Sequence, residues 1–567
     1  MTEHIIFLIY IFLFIFSTIG HGVIFSNLIS KELLSKNIAY QGIIGFFSLS
    51  LISLISSYFF AHNYIHNAII HTVGIIGFIL FIKKNKKNFE DFKNLIILIL
   101  IFLIAAYVYK NHDDFPYYHL TYSLNLSENR FIIGTGIFSH GFRTFSSIFY
   151  YHSILYMPFI KYFLFHIGPL YILIFFNFIV IKNIFENYKN KQINFLYYFS
   201  LLSLIFVNIA FYRIGEHGTD RSAMILLLLI FYYYFQLLNF EKSEEKISTN
   251  LNFILILIFL ASSMKAIYYM YLILIPVILF KKKYFQKFFK KKNILIIFIL
   301  SLSFFGNLTT NYFNTGCFLY PAEKTCIGKA EWSIPSKEVK RMNIHYEWWA
   351  KAGGGPGYKS EIKREIYIKN FVWLENWIKR HFFNKVSDTL FGIILICLIV
   401  YLSFRGFSKK KMFNRINSIG LSSYLFPLIF LLEWFLKHPA MRYGGYVLIA
   451  LPFFIYTSSL LEKFNLNKKK IYSTTLVFLL IAIIVFVGRN IIRLNKEFDI
   501  YKYNILSSPY FFIEKNISDT IIDLGNFKVY SPPPGKMCWS SKTPCSYARN
   551  IKVKEFFGLK VVYRDDW

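Results

Sequence analysis

Two adjacent acids, Asp113 and Asp114, are the residues whose placement in this sequence most strongly indicates chemistry. They lie in the polar stretch 111–120, directly after the apolar run 94–109. Charged groups beside hydrocarbon lose hydration, so those kept at the mouth of a membrane helix usually bind, transport or catalyse something. A carboxylate can accept a proton as a general base, and repulsion between neighbouring acids is expected to raise the pKa of one of them. The pair is therefore our first candidate for a catalytic site.

The same pair also has a purely structural interpretation. Asp is favoured at the N-cap of a helix and Pro in its first turn. Either acid could thus cap a helix that begins at Phe115 and Pro116. One acid can cap this helix while the other stays free, so the two interpretations do not exclude each other.

Basic and aromatic side chains predicted near the same edge of the membrane could bind a phosphate group. Arg suits this role because its planar guanidinium donates hydrogen bonds in pairs. Arg442 is the leading candidate, since it lies in a short loop at a predicted helix start. Lys265 could instead extend its ammonium to the membrane interface without binding a ligand. The predicted substrate- or phosphate-binding residues are His119, Arg143, Lys265, His438, Arg442 and Tyr443.

A second acidic loop carries Glu216 and Asp220. Together with Asp114, these carboxylates could bind a divalent cation such as Mg²⁺ or Mn²⁺, which prefers oxygen ligands. They could equally form local salt bridges with Arg213 and Arg221. The sequence indicates no other cofactor.

The composition places these residues in a membrane protein. Of the 567 residues, 55% are hydrophobic, and the mean hydropathy is +0.44. Apolar runs about as long as a bilayer-spanning helix recur along the chain, and a soluble domain could not bury so many of them. We expect an all-α polytopic membrane protein with about fourteen transmembrane helices. The apolar segments are 4–25, 38–60, 64–82, 94–109, 163–181, 194–212, 222–240, 251–264, 266–280, 294–309, 387–404, 419–436, 443–461 and 471–488.

The net charge of +32 would indicate a nucleic-acid partner in a soluble protein. Here the basic residues cluster in short gaps between apolar runs, which is typical of cytoplasmic loops. Nucleic acid is therefore not an expected partner, and both termini are predicted to be extracytoplasmic. The basic gaps are 83–87, 281–283, 290–292, 405–411 and 468–470.

This topology divides the chain into a transmembrane domain, 1–488, and a small extracytoplasmic C-terminal region, 489–567. The transmembrane domain includes two large external loops, 110–162 with the Asp-Asp pair and 310–385. The C-terminal region is too short for a catalytic domain with its own large core. We expect it to form a small α/β cap on the membrane domain.

The cysteines test this orientation independently. Cys317 and Cys326 form one close pair, Cys538 and Cys545 form another, and Cys397 lies within an apolar segment. Both pairs fall in segments that the charge pattern places outside, where disulfides form. We therefore predict two small disulfide loops, although a metal site is the rival interpretation.

The acidic motif resembles that of the GT-C superfamily of membrane glycosyltransferases, which take sugars from polyprenyl-phosphate donors. The stretches 315–321 and 438–443 also resemble segments of bacterial members. The resemblance implies a GT-C-like bundle in which one Asp of the pair takes the proton of an acceptor hydroxyl. The residues that carry the resemblance are Asp113, Asp114, Tyr117, Tyr118, His119 and Leu120.

We therefore expect an integral membrane glycosyltransferase. Its partners would be the lipid bilayer, a polyprenyl-phosphate-linked sugar donor, and a glycan, lipid or protein acceptor of the cell envelope. Its location would be the bacterial inner (plasma) membrane, with the active site facing the periplasm or cell exterior.

Two other functions stay open. An O-antigen ligase or polymerase would use His and Arg of a large external loop such as 310–385. A lipid-linked glycan flippase or transporter would need charged residues in mid-helix along a central path. The apolar segments contain almost none, and the ionisable groups gather at the outer rim instead.

Overall fold

The computed structural model describes most of the chain and is predominantly helical. The residues that it describes are 2–84, 86–216, 218–240, 243–280, 282–290, 293–354, 360–405, 422–464, 467–514, 519–525, 527–539 and 541–566. The basic gap 405–411, apart from Arg405, and parts of three other basic gaps lie outside them.

Twenty α-helices and four short strands make up the described structure. The helices of the first half are α1 Thr2–Ile29, α2 Ile38–Ser57, α3 Tyr64–Lys84, α4 Lys86–Phe102, α5 Leu120–Glu128, α6 Ser147–Ser153, α7 Gly168–Lys189, α8 Phe195–Ala210, α9 Gly218–Phe235 and α10 Glu244–Met264. Those of the second half are α11 Leu274–Leu279, α12 Lys282–Phe288, α13 Ile294–Thr315, α14 Ser336–Ala350, α15 Arg364–Tyr367, α16 Leu374–Trp377, α17 Ser387–Phe404, α18 Ser422–Lys437, α19 Gly445–Leu461 and α20 Lys468–Tyr501. The strands are β1 Thr520–Asp523, β2 Lys528–Ser531, β3 Lys552–Phe556 and β4 Leu559–Tyr563.

The helices are those of a polytopic membrane protein. Among the described residues, nine helices are long and apolar enough to cross a membrane, and three shorter apolar helices accompany them. Each of the predicted apolar segments overlaps a helix. At the fourth segment, α4 ends at Phe102 rather than near residue 109. Beyond this end the guanidinium of Arg493 donates to the carbonyl oxygens of Ile104 and Tyr107, which satisfies carbonyl groups without a continued helix.

Close backbone contacts hold the first three helices together. A Cβ on Gly20 would lie 1.7 Å from the carbonyl oxygen of Gly74, and one on Gly45 would lie 1.7 Å from that of Thr18. Small residues allow such approach between membrane helices, where van der Waals packing rather than the hydrophobic effect drives association. This compact trio provides a fixed wall for the segment that follows α4.

The predicted loop 110–162 folds into the bundle instead of extending into solvent. Its helices α5 and α6 are almost fully buried, and Tyr150 and Tyr151 have no exposed surface. Its polypeptide is tied to the first helices, for example by the Asn67 amide, which donates to the carbonyl oxygens of Ser153 and Tyr156. The acidic pair therefore stands on a rigid support.

The C-terminal tail packs on the same segment. Helix α20 continues through residue 488 to Tyr501, and two antiparallel hairpins, β1–β2 and β3–β4, follow it. The backbone N–H groups of Phe512, Trp539 and Val562 donate to the carbonyl oxygens of Tyr109, Pro116 and Ile133. After Tyr501 the described tail contains strands and no helix, so the α component of the predicted α/β cap is limited to the end of α20.

The cysteine predictions are confirmed. Disulfides join Cys317 to Cys326 and Cys538 to Cys545, while Cys397 is free and buried. The first closes a loop after α13, and the second closes a loop between β2 and β3.

Candidate active site

A line of alternating charges forms the centre of the candidate site. The Arg442 guanidinium contacts two carboxylates, with its Nη2 2.6 Å from Asp114 Oδ2 and its Nε 2.9 Å from Asp220 Oδ2. The second oxygen of Asp220 pairs with the ammonium of Lys265. Charges taken out of water need such mutual compensation, because an unpaired one carries a large desolvation cost. The order Lys265, Asp220, Arg442, Asp114 therefore forms one balanced cluster of two cations and two anions.

Asp114 points into this cluster, whereas Asp113 points away from it. The Asp113 side chain is 81% exposed, and its nearest partner is Lys110, at 3.6 Å. The Asp114 side chain is only 25% exposed and also lies 3.4 Å from the imidazole Nδ1 of His112. Of the two predicted catalytic acids, only Asp114 lies within reach of the guanidinium of Arg442.

The helix-capping interpretation does not apply to Asp114. A short π-helix, Phe115–His119, begins directly after it, but the carboxylate makes no capping hydrogen bond. The carbonyl oxygen of His112 accepts from the N–H of Phe115 at 2.8 Å. The backbone therefore starts the helix, which leaves the Asp114 carboxylate to pair with Arg442.

The other three charged residues lie at or near the ends of helices. Lys265 is an extended residue between α10 and a 3₁₀-helix, Ala266–Ile273. Arg442 lies in a single 3₁₀ turn, Met441–Tyr443, and Gly444 follows with φ 100°, a conformation that suits glycine. Asp220 lies in the first turn of α9.

Aromatic rings surround the cations. The Lys265 ammonium lies 4.6 Å from the ring centroid of Tyr443, and the Arg442 guanidinium lies 5.6 Å from that of Trp349. Trp349 comes from α14, in the large external loop, and packs edge-on against Tyr443. The Tyr268 hydroxyl donates to the backbone carbonyl oxygen of Asp220 at 3.2 Å. The charged cluster is thus flanked by aromatic side chains.

The cluster is accessible to a ligand. The side chains of Arg442 and Lys265 are 28% and 23% exposed, so both cations are partly solvated although each contacts a carboxylate. In the same segment as Asp114, the Nε2 atom of His119 and both polar side-chain atoms of Asn111 are buried and have no hydrogen-bond partner among the described residues. Buried polar atoms without a partner are costly, and a ligand group can satisfy them.

The electrostatics differ from the sequence prediction. Burial alone would raise the pKa of Asp114, but Arg442, together with His119 and His112, holds this pKa below its usual range. Burial lowers the pKa of His119 to about 4, so its imidazole is neutral at neutral pH. The prediction that one acid has a raised pKa was wrong for Asp114, because the nearest strong charge is a cation and not Asp113.

Two other predicted residues, Arg143 and His438, have different partners. Arg143 is buried and donates to Glu338, at 2.9 Å, which anchors α14. The Nδ1 atom of His438 lies 3.3 Å from a carboxylate oxygen of Glu433, although its ring packs edge-on against Tyr443. Arg143 thus supports α14, and His438 supports Tyr443.

Glu216 belongs to a second ionic cluster. Both of its carboxylate oxygens accept from Arg213 Nε at 2.8 Å, and Arg493 lies 3.9 Å away and also pairs with Glu497. The predicted salt bridge with Arg213 is therefore present, whereas Asp220 pairs with Lys265 and Arg442 instead of Arg221. The carbonyl oxygen of Glu216 accepts from the N–H of His112, so this cluster positions the residues before Asp114.

The predicted cation ligands are not brought together. Glu216 faces arginines, and Asp114 and Asp220 meet only through Arg442. The part of the chain that the structure describes contains no group of three or more His, Cys, Asp or Glu side chains placed to hold a metal ion. The divalent cation stays a prediction.

Several contributors were not singled out from the sequence. His112, Asn111 and Tyr268 have no distinguishing spacing, although the first two adjoin the acidic pair. Trp349 contacts Arg442 and Tyr443, so it lies at the site. Only the fold shows that these side chains converge.

Comparison with known proteins gives a family but no activity. A family model described as a domain of unknown function (DUF8201) matches residues 4–449, so the chain belongs to this family. The matched range contains Asp114, Asp220, Lys265 and Arg442. No curated protein and no solved structure matches the chain.

Proposed function

We propose that this member of the DUF8201 family is an integral membrane glycosyltransferase. It would move a sugar from a polyprenyl-phosphate-linked donor to a cell-envelope acceptor on the extracytoplasmic face. The observation that carries the proposal is the contact between one carboxylate, Asp114, and one guanidinium, Arg442, in a partly exposed cluster at the ends of apolar helices. This pairing supports the proposal, because a carboxylate can accept a proton and a guanidinium can bind a phosphate, and glycosyl transfer requires both functions.

The proposed reaction assigns one role to each charge. The acceptor oxygen attacks the anomeric carbon while the bond between that carbon and the phosphate oxygen breaks. The phosphate leaves with the electron pair and is stabilised by Arg442 and Lys265. The acceptor proton passes to Asp114, and Asp220 holds the two cations in place.

Binding of the donor would also prepare the base. In the structure Arg442 lowers the pKa of Asp114, which makes this carboxylate a weak proton acceptor. A phosphate that binds to Arg442 would draw the guanidinium away from Asp114, and the pKa of the carboxyl group would rise towards its usual value. The base would therefore be active only when the donor is present, which limits transfer to bound substrate.

The proposal includes the finer predictions about architecture. The chain would cross the membrane about fourteen times in a GT-C-like bundle, with both termini and both disulfides in the periplasm or cell exterior. The positions of the disulfide loops support this orientation, since disulfides persist in oxidising compartments. The bacterial inner, or plasma, membrane is the proposed location.

A vesicle assay separates the proposed transferase from a flippase. The protein is reconstituted, and a labelled polyprenyl-phosphate sugar is supplied in one leaflet with a soluble acceptor analogue on the same side. Release of polyprenyl phosphate on the side of residues 317–326, with a new glycoside, supports transfer. Movement of intact donor between leaflets without loss of sugar would establish a flippase instead.

One observation favours the ligase or polymerase alternative. The large external loop reaches the site, because Trp349 lies against Arg442. A ligase or polymerase would transfer a whole lipid-linked glycan, so the two enzymes are separated by offering donors that carry one sugar or many. Transfer of single sugars supports our first proposal.

A further inference from the structure

We infer that residues 360–386 of the large external loop lie in the headgroup region of the outer leaflet, against anionic lipid, and hold Arg442 at the depth of lipid phosphates. We call this segment the apron. The inference rests on the proposed function for the identity of the phosphate, but the position of the apron in the membrane can be measured without any substrate.

The outward side of the apron is both apolar and basic. Ile366, Phe371 and Phe383 are 56%, 53% and 66% exposed, which leaves large apolar side chains without a protein partner. Six basic residues are interleaved with three acidic ones over 360–386, so the segment is positively charged. Exposed apolar groups among cations are typical of segments that lie in the plane of an anionic membrane surface.

The inward side of the apron is fixed to the protein. Trp373 and Trp377 are almost fully buried. The Lys351 ammonium donates to the carbonyl oxygen of Ile368 at 2.8 Å, and the Tyr367 hydroxyl donates to the carbonyl oxygen of Lys351 at 2.8 Å. The outward side chains are therefore presented by a supported structure, and their exposure is a property of the fold.

Helix length gives the depth of the apron. Helix α17 has 18 residues, so at about 1.5 Å per residue it spans about 27 Å, close to the thickness of the hydrocarbon core. The apron runs directly into this helix, because a π-helical turn, Ile378–Val386, joins α17 without a break. Residues just before Ser387 must then emerge among the headgroups, where Phe383 can insert and Lys385 can reach lipid phosphates.

Arg442 lies at the same depth and is connected to the apron. It precedes α19, an apolar helix of 17 residues, by three positions. The indole Nε1 of Trp377 donates to the carbonyl oxygen of Pro439 at 2.7 Å, and the backbone N–H of Met441 donates to His381 Nε2 at 3.4 Å. These two bonds hold the corner that carries Arg442. A phosphate carried by a membrane lipid therefore meets this guanidinium without leaving the headgroup layer.

Spin labels test the depth directly. Single cysteines replace Ile366, Phe371 or Phe383 in a Cys397→Ser background, and Lys340, on the exposed side of α14, serves as the aqueous control. In nanodiscs that contain anionic lipid, we expect the three apron labels to collide more often with oxygen than with a water-soluble nickel chelate. The label at Lys340 should show the reverse.

Two results would overturn the inference. If all three apron labels match the Lys340 control, the apron lies in water. If they show dipolar broadening between copies and protection from both reagents, a second copy of the chain covers this surface instead of lipid.

A binding experiment tests the connection to Arg442. Trp377→Phe removes the bond to Pro439, whereas Trp373→Phe, which keeps that bond, is the matched control. For Trp377→Phe we expect about fivefold weaker binding of a polyprenyl phosphate in nanodiscs, the factor that corresponds to the loss of one hydrogen bond. Equal affinities for the two variants would refute the positioning role of the apron. If polyprenyl phosphate does not bind even to the unaltered protein, the proposed function fails while the depth result stands.

Discussion

Removing the Asp114 carboxylate should strengthen phosphate binding while it abolishes transfer. The Asp114 carboxylate accepts from Nη2 of the Arg442 guanidinium at 2.6 Å, and it thus competes with any phosphate for this donor. An Asp114→Asn substitution removes the competing charge but keeps the size of the side chain. A transferase that lacks its base should therefore bind its donor lipid more tightly than the unaltered protein does.

The magnitude follows from the contact. Hydrogen bonds between charged groups contribute about 1.5–3 kcal/mol net. Because the two side chains are 25% and 28% exposed, solvent screens the pair, and the lower end of this range applies. About 1.4 kcal/mol corresponds to a factor of ten, so the dissociation constant of a polyprenyl phosphate should fall about tenfold.

The assay is equilibrium binding of a radiolabelled polyprenyl phosphate to the protein in nanodiscs, with the uncharged polyprenol as ligand control. Asp113→Asn is the matched variant, since it makes the same change in net charge at a side chain that is 81% exposed and lies outside the cluster. We expect no change for Asp113→Asn. If both variants bind polyprenyl phosphate more tightly by the same factor, the change in net charge alone explains the effect. Weaker binding by Asp114→Asn would refute the competition between Asp114 and phosphate.

Three further predictions concern stability and orientation. Arg442→Gln leaves Asp114 and Asp220 without their shared cation, so the free energy of unfolding in detergent should fall by about 3 kcal/mol. Adding Asp114→Asn should recover part of this loss. A loss that Asp114→Asn does not reduce would contradict the pairing. The pKa of His119 is about 4 in the folded chain against 6.5 in the unfolded chain, so the unfolded chain binds the proton first and stability is lost as pH falls below 6.5. At pH 5 this loss is about 2 kcal/mol, and His119→Gln should show a correspondingly smaller drop in stability between pH 7 and pH 5; an unchanged drop would refute the burial argument. In intact cells treated with reductant, an impermeant maleimide should label the partly exposed Cys326 but not the buried Cys397; labelling of Cys326 only after lysis would reverse the proposed orientation.

Hydropathy alone was sufficient to predict the long apolar helices, because length and apolar composition are local properties. The predicted segment 38–60 corresponds to Ile38–Ser57, and 387–404 coincides with Ser387–Phe404. The end of α4 could not be predicted, since it depends on Arg493, which is distant in sequence and binds the carbonyl groups after the helix.

The site was predicted in part for the same reason. Asp114, Lys265 and Arg442 were candidates because each lies at the end of an apolar segment. A charged group there loses hydration and is usually kept for a function. The line of contacts from Lys265 through Asp220 and Arg442 to Asp114 could not be predicted, because it joins four segments separated by up to 328 residues. The pKa prediction was wrong for Asp114 because of a local detail: adjacent residues at a helix start do not face each other, so Asp113 turns to solvent and Asp114 turns to Arg442.

Sugar transfer in reconstituted vesicles tests the central claim most directly. The labelled sugar of a polyprenyl-phosphate donor is followed into acceptor for the unaltered protein, Asp114→Asn and Asp113→Asn, each inserted at equal amounts. We predict transfer by the unaltered protein and by Asp113→Asn, and loss of at least about a hundredfold for Asp114→Asn, as expected when a general base is removed. Transfer by Asp114→Asn at the rate of the unaltered protein would contradict the account.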